Sequence, residues 1–395
     1  MATNLTRIGV KARREPGLVF TSLYHHIYDV DNLRACYDAL DARKATGVDG
    51  VTKAEYGRNL EENLRDLSAR LRRMGYRPGP KRRSYIPKPG TAKGRPLGIS
   101  NLEDKIVEAA TKRTLEPIYE AVFEDSSYGY RPGRTQHQCL DALGRTIQQE
   151  KVSYVVEADV KSFFDEVNHE WMVKFLRHRI GDERVIRLIT RMLKSGIMED
   201  GLTRATEKGT PQGSILSPLL SNIYLHYVLD LWFSRRIHRQ CRGEAYYFRF
   251  ADDFLACFQY KGDAEHFYHQ LRARLEEFGL KLAEEKTRCI EFGRFARRDA
   301  QKRGGKPVDF TFLGFTHYCG KTREGYFKVK RRTSRKKLGQ SLRKFTEWAI
   351  KARHVLRKGE MIRQARVRVA GHLNYYAITD NAARCSYYSY RARQI

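Results

Sequence analysis

The sequence is short of acidic side chains, of long apolar runs and of paired cysteines. Its 46 Asp and Glu residues face 75 Lys and Arg residues, which leaves a formal net charge of +29. No stretch reaches the roughly 18 uninterrupted apolar residues of a membrane span, so no membrane partner is expected. The opening residues, MATNLTRIGVKARREPG, hold no apolar signal core, so secretion is not expected either. The seven cysteines never form a C-x-x-C pair, which speaks against a zinc knuckle and a disulfide framework and for a reducing interior. A disordered chain would be poor in aromatics. Here 41% of residues are hydrophobic and 11% aromatic, enough for a substantial core. The length of 395 residues suits two to three domains or one elaborated enzyme domain.

What is abundant is positive charge, and it is clustered. Seven of the fourteen residues from Arg70 to Arg83 are basic, as are seven of the ten from Lys328 to Lys337. Arg363, Arg366 and Arg368 form a third group, and tyrosines are interleaved through the C-terminal residues. A solvated surface would mix both signs more evenly. Basic tracks with aromatic rings between them suit a phosphate backbone and its bases, which makes Lys330, Arg331 and Arg332 candidate nucleic-acid contacts. Anionic lipid is the weaker rival.

Along the chain, helices are expected over residues 32–40, 56–74 and 101–119, with a turn at Gly47 and Gly50. A two-stranded ribbon around a Pro/Gly/Lys loop is expected from SYIPKPG and GRPLGIS. Residues 154–160 predict a strand with Tyr154, Val156, Ala158 and Val160 on one apolar face and Glu157 and Asp159 opposite. Helices at 169–177 and 182–194 follow, and then a strongly apolar helix after GTPQGS. YYFRFADDFLACF reads as a hairpin centred on Ala-Asp-Asp, without a Gly in its turn. A helix at 263–278 and strands at 310–315 and 325–329 come next. From Ser334 a seam of Leu338, Leu342, Phe345, Ala349, Ala352 and Leu356 predicts a bundle helix. Another is expected over 360–376, and a third capped by Thr379 or Asp380. The architecture is α+β, followed by a small basic helical region.

Carboxylates set among so many aromatic residues need counter-charges. Asp159 on its strand and Asp252 and Asp253 at the hairpin tip could each pair with an Arg or Lys. A single Asp beside an Asp-Asp pair is also the arrangement that holds two Mg²⁺ ions for phosphoryl transfer, since Mg²⁺ prefers hard oxygen ligands.

Eight blocks in order, TGVDGVT, YIPKPG with RPLGIS, SYGYRPGR, VVEADVKSFFDEVNH, GTPQGSILSPLLSNIYL, FRFADDF, GLKLAEEKT and FLGF, resemble the bacterial group II intron-encoded reverse transcriptases (maturases). The resemblance runs from about Gly47 to the C-terminus. It implies a right-hand polymerase: an N-terminal extension (1–46), fingers and palm (47–320) and a helical thumb or maturase region (321–395). It also implies an RNA-directed DNA polymerase that extends a DNA or RNA primer on an RNA template with dNTPs, and that binds intron RNA to assist splicing and mobility. Two Mg²⁺ ions, with Mn²⁺ as a substitute, would be held by Asp159, Asp252 and Asp253 and the Val160 carbonyl. The family usually has Tyr where Phe250 stands before Ala251-Asp252-Asp253.

By the same resemblance Phe164 is a steric gate against a ribose 2′-hydroxyl, although Phe163 and Phe164 read equally as core. Lys88 and Arg95 match the clamp on the incoming triphosphate. Gln212 matches the contact to the nucleotide sugar and template base, or is only part of a turn. Lys286 matches a lysine near the departing pyrophosphate, or pairs with Glu284 or Glu285. Arg131 and Arg134 are expected on the template–primer backbone, unless they are ordinary surface arginines. The chain stops at Ile395 within the expected third helix, and no Cys/His nuclease pattern follows, so a C-terminally short member without an HNH endonuclease is expected. A bacterial cytoplasmic location, nucleoid-associated on nucleic acid, is implied. A non-catalytic RNA-binding splicing cofactor and a relative used in phage defence are the alternatives. Oligomeric state is not legible.

Overall fold

The computed structural model describes residues 4–87, 94–199 and 201–395. Its strands are β1 (Lys81–Ile86), β2 (Arg95–Ile99), β3 (Tyr154–Ala158), β4 (Ile197–Glu199), β5 (Leu202–Arg204), β6 (Ala245–Phe250), β7 (Asp253–Phe258), β8 (Arg288–Glu291), β9 (Phe310–Phe312), β10 (Phe315–Lys321) and β11 (Phe327–Thr333). They form three sheets, ordered β2-β1-β4-β5, β6-β7-β3-β8 and β11-β10-β9. Helices surround them, so the mixed α+β class holds. Among the described residues no helix is long and apolar enough to cross a membrane.

The central sheet β6-β7-β3-β8 is antiparallel throughout. Alternation sends Val156, Ala158, Tyr247, Phe254 and Ala256 into a large core shared with the helices. It sends Val155, Phe248, Leu255, Cys257 and Ile290 into a second core with Phe310, Phe312 and Phe315 of the third sheet. The expected polar face of β3 is therefore covered as well, because the third sheet packs over it. Only its end, at Glu157 and Asp159, stays open.

Several boundaries differ from expectation. The helix expected at 56–74 is two pieces, Lys53–Gly57 and Leu60–Arg72, the first opened by a Thr52/Glu55 capping box. Helix Gln136–Gln149 was not anticipated, although Thr135 and Gln138 form a capping box and Leu140, Leu143 and Ile147 make its apolar stripe. Strands β4 and β5, of three residues each, were also missed.

Asn381, not Thr379 or Asp380, precedes the last helix, Ala382–Gln394. Its buried amide donates to Thr333 Oγ1 at 2.8 Å and to the Tyr376 carbonyl at 2.7 Å, and it accepts from the Thr333 amide at 2.8 Å. These bonds tie the C-terminal helices to β11. The division expected at residue 320 falls inside β10, whose ladder with β11 is continuous from Phe315–Thr333 to Lys321–Phe327.

The β1–β2 ribbon is anchored at its base. The Lys81 ammonium donates to Glu108 Oε1 at 2.5 Å and to Ser100 Oγ at 3.0 Å, all buried, and Glu108 Oε2 accepts from the Ile215 amide at 2.9 Å. The Gly98 amide donates to the Gln212 carbonyl at 2.7 Å. The Pro-Gln-Gly segment and the ribbon are thus joined.

Candidate active site

The β6–β7 hairpin closes with Phe250 opposite Asp253, which leaves Ala251 and Asp252 as its two turn residues. Such tight turns need a left-handed residue, normally Gly. Ala251 takes that role here with φ +59°, at a cost of about 1–2 kcal/mol for an L-residue. Strain of this kind persists only where the surroundings over-determine it.

Register then sets the third carboxylate. Ala158 pairs with Phe254, so the next residue of the β3 segment, Asp159, comes opposite Asp253. One residue on, Val160 bridges Leu282. The Ala283 amide donates to the Asp159 carbonyl at 2.9 Å and the Lys161 amide to the Lys281 carbonyl at 2.8 Å. That pattern turns the carbonyl of Val160 to the opposite side, where the hairpin tip lies.

Asp159 and Asp253 line a cavity of about 840 Å³, together with Arg95, Lys286, Lys337 and Gln340, whereas Asp252 and Val160 are not among its lining residues. The floor comes from the central sheet and one wall from the N-terminal turn of helix Arg335–Val355. Asp253, at the start of β7, is exposed to the cleft. Withdrawal of bulk water, then repulsion from Asp252 and Asp159, pushes its carboxyl up to about 6 against the pull of Lys337 and Lys286. Burial, with Asp159 adding to it, also raises Asp252, while Arg95 and Arg249 oppose the shift. Lys286 donates to Asp159 Oδ2, and this bond holds the ammonium in its charged form. Asp159 repels both hairpin carboxylates, and Arg95, Lys286 and Lys337 offset that repulsion in part.

The donor set fits hard divalent ions: carboxylate oxygens close enough for Asp159 to raise the pKa of both Asp252 and Asp253, with a backbone carbonyl on the same side. Among the described residues no three His, Cys, Asp or Glu side chains already close on a single point. Lys286 stands at Asp159 instead.

Other expected site residues lie elsewhere. Lys88 falls outside the described residues. Phe164 packs half-buried against the large core, edge-on to Phe163 at 5.3 Å, and its carbonyl accepts from the Thr210 amide at 2.7 Å. Gln212 is half-buried on its loop, with its backbone fixed to Gly98. Neither lines the cavity.

Arg131 is a correction. It is buried, it donates to Glu120 at 3.1 and 3.0 Å, and it also donates to the carbonyls of Glu124 and Ser127 at 2.7 and 2.9 Å. Its donors face inward, so it braces its own loop instead of reaching a phosphate. Arg134 donates to the carbonyl and carboxylate of Asp125 and lies over Tyr128. On β11, Arg331 pairs with Asp141 at 2.8 Å and Arg332 with Asp309 at 2.9 Å, while Lys330 lays its stem over Gly320. The two arginines are less free than their sequence cluster suggests.

Three features escaped the sequence analysis. Tyr130, half-exposed with φ +59°, is held above its usual pKa by burial and by the nearby Asp252 and Asp253. Lys337 and Gln340 face the cavity, although only the basic run around Lys337 was visible as a motif. Arg249 is wholly buried behind the hairpin tip. A lone arginine within an apolar strand was the available signal.

The model of the family described as reverse transcriptase (RNA-dependent DNA polymerase) matches residues 86–317, more than half of the chain. The chain belongs to the reverse transcriptase family, whose members generally use divalent metals. Within it, the chain falls with the group II intron reverse transcriptases and maturases. It is 37% identical over 231 residues to the group II intron-encoded protein LtrA of Lactococcus lactis subsp. cremoris, which covers 58% of this chain and 38% of that protein. It is 38% identical over 204 residues to protein YkfC of Escherichia coli (strain K12), covering 51% of this chain and 53% of that one. The nuclear intron maturase 2, mitochondrial, of Arabidopsis thaliana is 32% identical over 112 residues, 27% of this chain and 15% of that protein. The chain spans about half or less of these relatives.

Proposed function

We propose that this chain is an RNA-directed DNA polymerase that extends a primer 3′-end on an RNA template with dNTPs and also binds intron RNA to assist splicing. The observation that carries the proposal is the register of the central sheet. It sets Asp159 beside Asp253 in a cavity whose walls also carry Arg95, Lys286 and Lys337. In this reading the central sheet is the palm, the β1–β2 ribbon the fingers, and the helices after Ser334 the thumb, with residues 1–46 as the N-terminal extension.

Asp159, Asp252, Asp253 and the Val160 carbonyl would hold two Mg²⁺ ions, or Mn²⁺ in their place. When bound, the ions would supply Lewis-acid activation of the primer hydroxyl and charge neutralisation at the leaving pyrophosphate. The rest falls to this chain's own groups. Arg95 on the cavity rim, together with Lys88, orients the triphosphate through charge-assisted hydrogen bonds. Lys286, released from Asp159, follows the departing anion. Lys337 and Gln340, in the first turns of a helix whose N-terminus carries positive dipole, meet the primer backbone. Phe164, rigidly packed on Phe163, excludes a 2′-hydroxyl, and Gln212 meets the nucleotide from a loop fixed to the ribbon. Arg134 and Lys330 contribute peripheral phosphate contacts.

Primer extension on RNA and DNA templates in Mg²⁺, with wild type and Asp252→Ala, tests the proposal. Incorporation by wild type and none by the variant, at equal RNA affinity, is expected. Binding without incorporation by wild type would leave a splicing cofactor only.

A further inference from the structure

Arg249 is the largest side chain that is fully buried among the described residues. It sits on β6 two residues before Ala251, on the face where Ala245 and Tyr247 join the apolar core. A guanidinium has five N–H donors in a fixed plane, and here each has a partner. Nε and Nη2 donate to the two Asp230 oxygens at 2.7 and 2.6 Å, and Nη2 donates also to Ser127 Oγ at 2.8 Å. Nη1 donates to Asn222 Oδ1 and to the Ala251 carbonyl, both at 2.9 Å.

The partners come from three separated segments, and each bears on the hairpin tip. The Asn222 amide donates onward to the Gly129 carbonyl at 2.7 Å. Gly129 lies so close to the tip that a Cβ there would stand 2.9 Å from the Phe250 carbonyl carbon and 3.0 Å from Ala251 Cα. Backbone bonds of 2.9 Å (Arg249 amide to the Ser126 carbonyl) and 2.8 Å (Tyr128 amide to the Arg249 carbonyl) lay this segment along β6. Asp230 reaches the cluster from the helix that begins at Ser217, eight residues beyond Asn222. Eight residues of α-helix would rotate it about 80° away. A π-helical turn at His226–Asp230 winds more slowly and keeps both residues facing the arginine.

A buried Arg–Asp pair needed only for cohesion could be replaced by apolar groups without loss. The bond to the Ala251 carbonyl is different. It grips Ala251, the hairpin's left-handed turn residue, directly before Asp252. We infer that Arg249 is a positioning residue, a guanidinium clamp that fixes the strained turn and thereby the placement of Asp252 in the turn and of Asp253 at the cavity. The inference rests on the polymerase reading for its consequence in turnover, but not for its consequence in cation binding.

The test uses the full chain on a primer–template with an unextendable 3′-end. Mn²⁺ affinity is read by electron paramagnetic resonance, dNTP incorporation is read separately, and thermal unfolding is the control. Arg249→Met combined with Asp230→Leu removes both buried charges and keeps the volume. Arg249→Lys keeps the charge but cannot span the partners. Both variants should weaken Mn²⁺ binding and lower kcat by about 10- to 100-fold, with KM for dNTP and RNA affinity near wild type. A folded double variant with wild-type Mn²⁺ affinity overturns the clamp. If the double variant does not fold, Asn222→Ala is read in the same way: weaker Mn²⁺ binding supports the clamp and unchanged binding overturns it. Should wild type incorporate no dNTP, the polymerase reading fails, and the Mn²⁺ comparison still decides the clamp.

Discussion

The Lys286 ammonium donates to Asp159 Oδ2, across 127 residues of chain, so that a side-chain cation stands at one of the three clustered carboxylates. The lysine is 60% exposed and the carboxylate 24% exposed, so water screens the pair. An exposed ion pair of this kind contributes no more than about 1 kcal/mol. Lys286→Gln should therefore tighten Mn²⁺ binding by no more than about five-fold, because the competing cation is gone. It should also slow turnover if Lys286 follows the leaving anion. Mn²⁺ titration of the variant without nucleotide, alongside its kcat, checks both. Weaker Mn²⁺ binding would mean that Lys286 supports the cation site and does not compete for it.

Gly129 abuts the hairpin tip with no room for a methyl group, since a Cβ would meet the backbone of Phe250 and Ala251. Backbone cannot swing aside as a flexible side chain does. Gly129→Ala should move the tip, and with it Asp252, lowering kcat by about 100-fold, the scale of a 1 Å misplacement. RNA affinity, carried by charges elsewhere, should stay near wild type. A fully active Gly129→Ala protein would show that the tip tolerates displacement.

Lys336 and Lys337 are exposed at the cavity wall. Each phosphate contact contributes about one unit to the slope of log affinity against log salt. Replacing both lysines by Ala should make primer–template binding less salt-sensitive by about two units of that slope. Filter-binding titrations between 50 mM and 200 mM salt would measure it. An unchanged slope would put the duplex away from this helix.

His317 is fully buried and stacked on Phe310 at 4.6 Å. Burial, reinforced by Arg331, pushes its imidazole down to about 3. Burial likewise takes His226 down to about 4, against the pull of Asp230. Between those values and the ordinary 6.5 the unfolded chain binds protons that the folded chain does not, so stability falls as pH drops below 6.5. Asp104, pushed up to about 6 by burial, works in the opposite direction. Urea unfolding of wild type and His317→Phe should differ in pH slope, with roughly 2 kcal/mol of acid sensitivity at pH 5 removed by the substitution. Parallel slopes would mean that His317 is protonated in the fold.

Much of the geometry of the candidate site was legible because local pattern carries it. Alternating apolar residues around Ala251-Asp252-Asp253 gave the hairpin, and the apolar run before Asp159 gave its strand. The Ser334 seam gave the helix that walls the cavity. What was not legible depended on packing between distant segments. The face of β3 that carries Glu157 and Asp159 reads as polar, yet the third sheet covers it at Val155. Arg131 looked like a phosphate contact because sequence cannot show that Glu120 and two carbonyls take its donors. Arg249 stands out locally only as a lone arginine in an apolar strand, and its partners Ser127, Asn222 and Asp230 meet it only in three dimensions.

The most direct measurement is single-turnover incorporation of a dNTP into a primer annealed to RNA, in Mg²⁺, by wild type, Asp159→Asn and Asp252→Asn. The account predicts incorporation by wild type and a loss of at least about 100-fold in each variant, with RNA affinity and melting temperature retained. Incorporation at the wild-type rate by either variant would contradict it.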